Sequence, residues 1–110
     1  MNGRFIGSSV ALLLATLAVC STVAAQEDKS LLAQGKQLFT EQGCYGCHMI
    51  DKFGTPIAQD LSHVGAKYSE ADVAKWLRDP AVQKPTAHMP KIALTEAEVR
   101  ALAAYLGSLR

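Results

Sequence analysis

A Cys-x-x-Cys-His run from Cys44 to His48 constrains this chain more than any other feature. Two cysteines three positions apart on one helical turn point the same way, so both sulfurs can form thioethers with the vinyl groups on one side of a porphyrin. His48 follows directly, where a ring nitrogen can ligate the iron from the proximal side. The run predicts one covalent haem c on Cys44 and Cys47, with His48 as an axial iron ligand.

Two other chemistries use a Cys-x-x-Cys pair. A structural zinc site needs four ligands, and the chain has neither a second such pair nor zinc-finger spacing from His63 or His88. A thioredoxin-type dithiol needs a strand-to-helix setting, which the sequence does not show. The histidine beside the second cysteine, in a chain with an export-type leader, favours haem over both.

The first 25 residues are typical of a secretory signal peptide. Arg4 precedes an apolar run over residues 10–19, and small residues come before a cleavage site predicted after Ala25. Residues 26–110 would then form the exported domain, in the periplasm or an equivalent compartment.

Two alternatives to cleavage stay open. Residues 5–25 are just long enough to span a bilayer as an uncleaved anchor, although several hydroxyl side chains dilute them. Residues 17–20 faintly resemble a lipobox that would lipidate Cys20, but Val19 departs from the small residue normally found before that cysteine.

Composition describes one globular domain behind an apolar leader. The chain has 110 residues, 19% charged and 49% hydrophobic, with a formal net charge of +1. Without Arg4 the remainder has ten basic and ten acidic residues (11 minus 1, against 10) and no basic run. This balance does not favour nucleic-acid binding, and we expect no nucleic-acid partner. Loss of Cys20 with the leader leaves no cysteine for a disulfide.

Helical spacing predicts a first helix after the leader. Asp28 or Ser30 can cap its start, and it runs to about Gln42, where Gly43 ends it. Gly35 lies in its middle, at a cost of roughly 1 kcal/mol relative to alanine, which suggests that a backbone or a ring packs against it.

A second helix is predicted from Ser69, capped through the residues that follow, to the Asp79-Pro80 pair. Val73, Trp76 and Leu77 form its apolar face. We expect Trp76 to pack in the core, or its indole N–H to donate to a haem propionate.

A capping box at Thr95 and Glu98 predicts a last helix to about Leu109. The segments between helices, residues 49–65 and 80–94, are predicted as loops, because glycines and prolines interrupt them. No stretch alternates like a strand.

Met89 is the best-placed second axial ligand. It lies in a loop stiffened by Pro85 and Pro90, 41 residues after His48 (89 minus 48), far enough for the chain to pass round the ring. An iron closed by His48 and Met89 suits electron transfer, because no ligand has to arrive or leave. His88 is the competing candidate.

Together these features resemble the class I monohaem c-type cytochromes over essentially all of residues 26–110. The shared positions are Gly35 and Phe39, the run from Cys44 to His48, Asp60-Leu61 before Gly65, Trp76, Met89-Pro90 and Tyr105. The resemblance implies an all-α, cytochrome c-like fold of about three to four helices around one haem. It also implies that the first and last helices cross closely at Gly35, near Tyr105.

One position departs from that family. Its members commonly have a proline two residues before the position of Leu61, and the carbonyl of that proline accepts a hydrogen bond from the proximal imidazole. Gln59 stands there instead. Its backbone carbonyl can still accept, but the loop loses the fixed torsion of proline. Since such bonds orient a ligand and tune the metal, the change bears on His48 and on the reduction potential.

We therefore expect a small exported electron-transfer protein, not an enzyme, that exchanges one electron with a redox-protein donor and acceptor. It would meet a membrane only through a retained leader or by docking to a respiratory complex. Two alternatives stay open: an open-site haem protein that binds a small ligand or acts like a peroxidase, and a dedicated cytochrome subunit of a larger oxidoreductase.

Overall fold

A computed structural model describes the chain from residue 7 to residue 110, and its side chains from residue 22 onward. The chain forms two compact units, an N-terminal one that ends at Ser30 and a second one, Leu31–Arg110. Arg4 and the side chain of Cys20 lie outside the described residues, so the leader stays a prediction. Among the described residues, no helix is both long and apolar enough to cross a membrane.

The described chain is mostly helical, and the predicted all-α class is confirmed. The elements are α1 (Gly7–Glu41), a 3-10 turn (Cys44–Gly46), β1 (Met49–Ile50), β2 (Phe53–Gly54), α2 (Val64–Lys67), α3 (Glu70–Arg78), α4 (Pro80–Gln83) and α5 (Glu96–Ser108). The helices α2 and α4 are single turns, which is why more helices are present than the sequence indicated.

The start predicted for the first helix is wrong. Asp28 and Ser30 lie inside α1, which begins at Gly7. Alanine and leucine, which dominate the upstream stretch, are strong helix formers, so the helix extends through the expected caps. The end is confirmed within a residue: α1 stops at Glu41, and Gly43 turns the chain with a left-handed φ of 74°.

Both predicted capping motifs are confirmed. The Ser69 hydroxyl accepts a hydrogen bond from the Asp72 backbone N–H at 3.1 Å, at the start of α3. In α5, the Glu98 N–H donates to the Thr95 hydroxyl (3.2 Å), and the Thr95 N–H donates to the Glu98 carboxylate (2.8 Å). Each pair satisfies backbone donors that a helix start leaves without intrahelical partners.

The two segments predicted as loops contain more structure than expected. β1 and β2 pair antiparallel, with Met49 opposite Gly54 and Ile50 opposite Phe53. Strands of two residues are too short to show alternation in a sequence, which is why they escape detection. α4 begins at Pro80 because proline suits the first turn of a helix, where its missing N–H costs nothing.

The core of the second unit is built around α5. Every residue from Ala101 to Leu106 is buried, together with Val99. Phe39 of α1 and the pair Val73 and Leu77 of α3 pack against it, as the helical spacing predicted. Leu61 and Val64 close the same cluster. After α5, the Leu109 carbonyl accepts a hydrogen bond from the Gly65 N–H at 2.7 Å.

α1 and α5 cross at Gly35, as the resemblance implied. A Cβ atom on Gly35 would collide with the Ala101 carbonyl oxygen and lie 2.6 Å from Cβ of Tyr105. Only glycine permits this approach of two backbones. One turn later, the ring of Phe39 meets Tyr105 edge-on at 6.2 Å and Tyr45 edge-on at 4.7 Å. The crossing therefore continues into the Cys-x-x-Cys-His run, which contains Tyr45.

Replacing Gly35 by alanine should lower the free energy of unfolding by about 1–3 kcal/mol, the usual cost of forcing an extra methyl group into a packed site. The sign of this change in the free energy of unfolding is informative, because at an open helical position glycine to alanine stabilises the protein by up to about 1 kcal/mol. Denaturant titration of the purified protein measures it. Lys36→Ala, at the exposed neighbouring position, is the matched control. A stabilised Gly35→Ala variant would show that the helices do not meet there.

Candidate haem-binding site

The Cys-x-x-Cys-His run forms one compact turn after α1. The backbone N–H groups of Cys47 and His48 both donate to the Cys44 carbonyl, at 3.2 and 3.0 Å. The two described cysteines are free thiols, Cys44 half-buried and Cys47 exposed. Burial raises the pKa of the Cys44 thiol above its ordinary value, against a smaller opposing effect of a backbone hydrogen bond. Cys44 is therefore protonated at neutral pH.

The His48 ring is held by a hydrogen bond to the backbone. Nδ1 of His48 lies 2.7 Å from the backbone carbonyl oxygen of Gln59. Since a carbonyl only accepts, Nδ1 carries the proton and donates it to this bond. In the neutral ring, Nε2 is therefore the nitrogen that carries the lone pair with which a histidine ligates a metal. The carbonyl at position 59 thus accepts the bond without a proline.

Backbone hydrogen bonds on both sides of Gln59 explain why its carbonyl is in place. The N–H groups of Ile57 and Ala58 donate to the Cys47 carbonyl at 3.2 and 2.8 Å, and the Leu61 N–H donates to the Met49 carbonyl at 2.9 Å. The returning segment is therefore tied to the motif before and after position 59. These bonds fix the torsions that a proline ring would otherwise restrict.

A side-chain link ties the same segment to the turn between β1 and β2. The Ser62 hydroxyl accepts from the Asp51 N–H (2.7 Å) and donates to the Asp60 carboxylate (2.6 Å). Hydrogen bonds from the Ser62 hydroxyl and N–H lower the pKa of Asp60 below its ordinary value of 3.8, so the carboxylate stays ionised at neutral pH. Sequence reasoning missed this link, although Asp followed two residues later by Ser is an Asx-turn signal.

The predicted second ligand lies on the loop between α4 and α5. Met89 is half-buried and packs against the core, as do Cys44 and Tyr45, whereas His88 is exposed. The indole N–H of Trp76 donates to the Met89 sulfur at 3.1 Å. Trp76 itself is half-buried, so the expectation that it belongs to the buried core is wrong.

The donor set fits haem c. One turn presents two free thiols and an imidazole held through Nδ1, and the Met89 side chain packs against the same apolar cluster as Cys44. No group of three or more His, Cys, Asp or Glu side chains that could hold a metal ion occurs in the described part of the chain. A cavity of about 350 Å³ between α3 and α5 is lined by none of the predicted site residues, so it is not the haem site.

A family model described as Cytochrome c matches residues 32–110, a range that includes every predicted site residue. The chain belongs to the cytochrome c family. Its helical fold and its motif make it a class I c-type cytochrome, as the resemblance implied. Haem c is the cofactor that this family implies for the site.

The chain is also similar to a protein named cytochrome c oxidase subunit 2 from Alkalihalophilus pseudofirmus. The two are 31% identical over 91 residues, which are 74% of this chain and 27% of that protein. The chain therefore spans about a quarter of the length of this relative.

The hydrogen bond to His48 uses the backbone of Gln59, so the side chain at this position should not matter. We expect Gln59→Ala and Gln59→Pro to leave the reduction potential and the absorption spectrum of the cytochrome unchanged, because both keep the carbonyl. Redox titration and optical spectra measure this. Ser62→Ala, which removes the link to Asp51 and Asp60, should lower the stability of the cytochrome to denaturant. A shifted potential in Gln59→Ala would show that the amide side chain takes part.

Proposed function

We propose that this cytochrome is an exported one-electron carrier, with haem c bound through thioethers to Cys44 and Cys47 and its iron held by His48 and Met89. The observation that carries the proposal is the hydrogen bond from His48 to the Gln59 carbonyl. Because this bond uses Nδ1, Nε2 is the ring nitrogen that can ligate iron, on the same turn as two free thiols.

Bound haem supplies the one-electron chemistry, with its iron alternating between the ferrous and ferric states. The chain contributes the rest. The thiols of Cys44 and Cys47 are converted to thioethers, and His48 ligates through Nε2. Its Nδ1–H bond fixes the ring orientation and raises the basicity of the imidazole.

Met89 favours a carrier over an open haem site. The residue is half-buried, and its sulfur accepts a hydrogen bond from Trp76. A protein ligand on the second axial side leaves no position for oxygen or peroxide and avoids ligand exchange during electron transfer. The open-site, peroxidase-like alternative requires Met89 to leave the iron, and the experiment below tests it.

A role next to a respiratory oxidase is the second candidate. The relative named cytochrome c oxidase subunit 2 supports it, because the similarity covers most of this chain. In this form of the proposal, the chain passes electrons to a membrane-bound oxidase or serves as its cytochrome subunit. The chemistry at the iron is the same in both cases.

Met89→Ala should abolish the sulfur-to-iron charge-transfer band of the ferric protein and lower its midpoint potential by about 0.1 V or more, a fraction of the roughly 0.8 V over which axial ligands tune haem. Near-infrared spectra and redox titration measure both. His88→Ala, at the exposed neighbouring position, is the control and should change neither. A wild-type ferric protein that is high-spin and lacks the band would favour the open-site alternative.

Intact mass of the denatured, matured protein tests attachment and export together. We expect the mass of residues 26–110 plus one haem, because thioethers survive denaturation and the leader is removed after Ala25. A retained leader would indicate an anchor over residues 5–25, and a lipid adduct that begins at Cys20 would indicate a lipoprotein. A chain without haem would contradict covalent attachment.

A further inference from the structure

We propose that Ser62 and Asp60 are positioning residues for His48. Their hydrogen-bonded link to the turn after His48 strengthens the bond from Nδ1 to the Gln59 carbonyl, and this lowers the reduction potential of the cytochrome. The inference rests on the proposed ligation of iron by His48. It gives a role in redox chemistry to two polar side chains that lie outside the haem-binding motif.

The link is a chain of hydrogen bonds with a single direction. The backbone N–H of Asp51 donates to the Ser62 hydroxyl oxygen at 2.7 Å, and that hydroxyl donates to the Asp60 carboxylate at 2.6 Å. Because an N–H only donates and an ionised carboxylate only accepts, the hydroxyl proton must point at the carboxylate. The negative charge polarises the hydroxyl, which makes its oxygen a stronger acceptor for the Asp51 N–H.

The Asp60 carboxylate is held in place by a second bond. The oxygen that accepts the Ser62 hydroxyl also accepts the Ser62 backbone N–H, at 2.8 Å. These two bonds lower the pKa of Asp60 below its ordinary value, and His63 and Lys67 act weakly in the same direction. The carboxylate is therefore ionised at neutral pH, as the direction of the chain requires.

The turn that receives the link has an unusual backbone. Asp51 has a φ of 55°, in the left-handed region that residues other than glycine rarely adopt. The Ser62 hydroxyl accepts the N–H of this residue and so stabilises its conformation. The turn follows β1, whose first residue, Met49, is the neighbour of His48. A restraint on Asp51 therefore acts on the chain just after the ligand.

The link runs beside the hydrogen bond of the ligand itself. The bond at His48 and the bond at Asp51 each join residues 11 positions apart. Between them in sequence, the Leu61 N–H donates to the Met49 carbonyl at 2.9 Å. All three bonds connect the chain after the motif to the same returning segment. Loss of the bond at Asp51 therefore loosens the segment that carries the Gln59 carbonyl.

A stronger Nδ1–H bond makes the imidazole a stronger electron donor to iron. The bond moves the ring toward imidazolate character, so Nε2 supplies more electron density. Ferric iron gains more from this than ferrous iron, because it carries the larger positive charge, and the reduction potential falls. Asp60 acts mainly through the bonded chain, since its carboxylate is exposed and water and salt screen its direct field.

The alternative is that the link only stabilises the fold. Ser69 and Asp72 make a similar pair at the start of α3, where the Ser69 hydroxyl donates to the Asp72 carboxylate at 2.8 Å. That pair caps a helix and lies outside the two segments that are bonded together around His48. Ser69→Ala and Asp72→Asn are therefore matched controls, because they remove the same hydroxyl and the same charge.

Ser62→Ala and Asp60→Asn in the intact, haem-loaded protein test the proposal by redox titration. We expect both to raise the midpoint potential, Ser62→Ala by more, because the amide left by Asp60→Asn can still accept from the hydroxyl. Ser62→Thr keeps a hydroxyl and should restore the wild-type value. Ser69→Ala and Asp72→Asn should lower stability to denaturant and leave the potential unchanged. If Ser62→Ala or Asp60→Asn behaves like its control, the inference fails.

Hydrogen exchange separates positioning from a direct effect of charge. In the ferrous, ¹⁵N-labelled protein we expect the His48 Nδ1–H and the Asp51 backbone N–H to exchange slowly with water, although Asp51 is exposed. Ser62→Ala should make the Asp51 N–H exchange about two- to tenfold faster, the factor for one lost hydrogen bond, and should also speed exchange at Nδ1. A fast-exchanging Asp51 N–H in the wild type, or an unchanged Nδ1–H in Ser62→Ala, would overturn the inference.

The inference and the proposed function fail in different ways. If the variants match their controls in a cytochrome that carries covalent haem, only this inference fails. If the wild-type protein carries no covalent haem, or if its His48 signals are not displaced by the ring current of the haem, His48 is not the ligand and the proposed function fails with it.

Discussion

The close approach of α1 and α5 at Gly35 is the constraint on which the rest of this domain depends. Because glycine has no Cβ, the helix backbones come near enough for Tyr105 and Phe39 to meet beside the crossing. Phe39 then contacts Tyr45, which lies between the two cysteines. The packing of the two helices thus bears on the direction in which the Cys-x-x-Cys-His turn leaves α1. The helix crossing and the turn with the two cysteines are therefore joined by one chain of packed side chains.

Around His48, backbone hydrogen bonds do what a proline residue does in other members of the family. The carbonyl of residue 59 must face Nδ1 of His48, and a proline is one means of holding it there. In this chain, bonds to the carbonyls of Cys47 and Met49 hold the returning segment, with the Ser62 link as a second tie. The departure from the family's usual residue therefore leaves the hydrogen bond to Nδ1 of His48 in place.

Sequence reasoning recovers the parts of this structure that depend on local chemistry. The caps at Ser69 and Thr95 and the turn at Gly43 each follow from neighbouring residues, and the crossing at Gly35 follows from the resemblance. Features that depend on residues outside the local motif, or that are too short to leave a pattern, are missed. Apolar residues upstream extend α1 past Asp28 and Ser30, and a two-residue hairpin leaves no periodic pattern.

The hydrogen bond from Trp76 to Met89 is missed for a related reason. It joins a helix to a loop, and nothing in a sequence indicates which of several acceptors an indole will meet. The expectation of core packing is reasonable for a tryptophan beside Val73 and Leu77. Burial in three dimensions, however, depends on the loop that covers the helix, and here that loop carries the methionine.

The spacing of these contacts along the chain has a consequence for the order of assembly. The bond between His48 and Gln59 closes a loop of 11 residues, whereas the crossing joins Gly35 to Ala101, 66 positions away (101 minus 35). Closing the longer loop costs about 1.5 kcal/mol more in chain entropy. The turn that carries Cys44, Cys47 and His48 can therefore reach its arrangement while the last helix is still undocked.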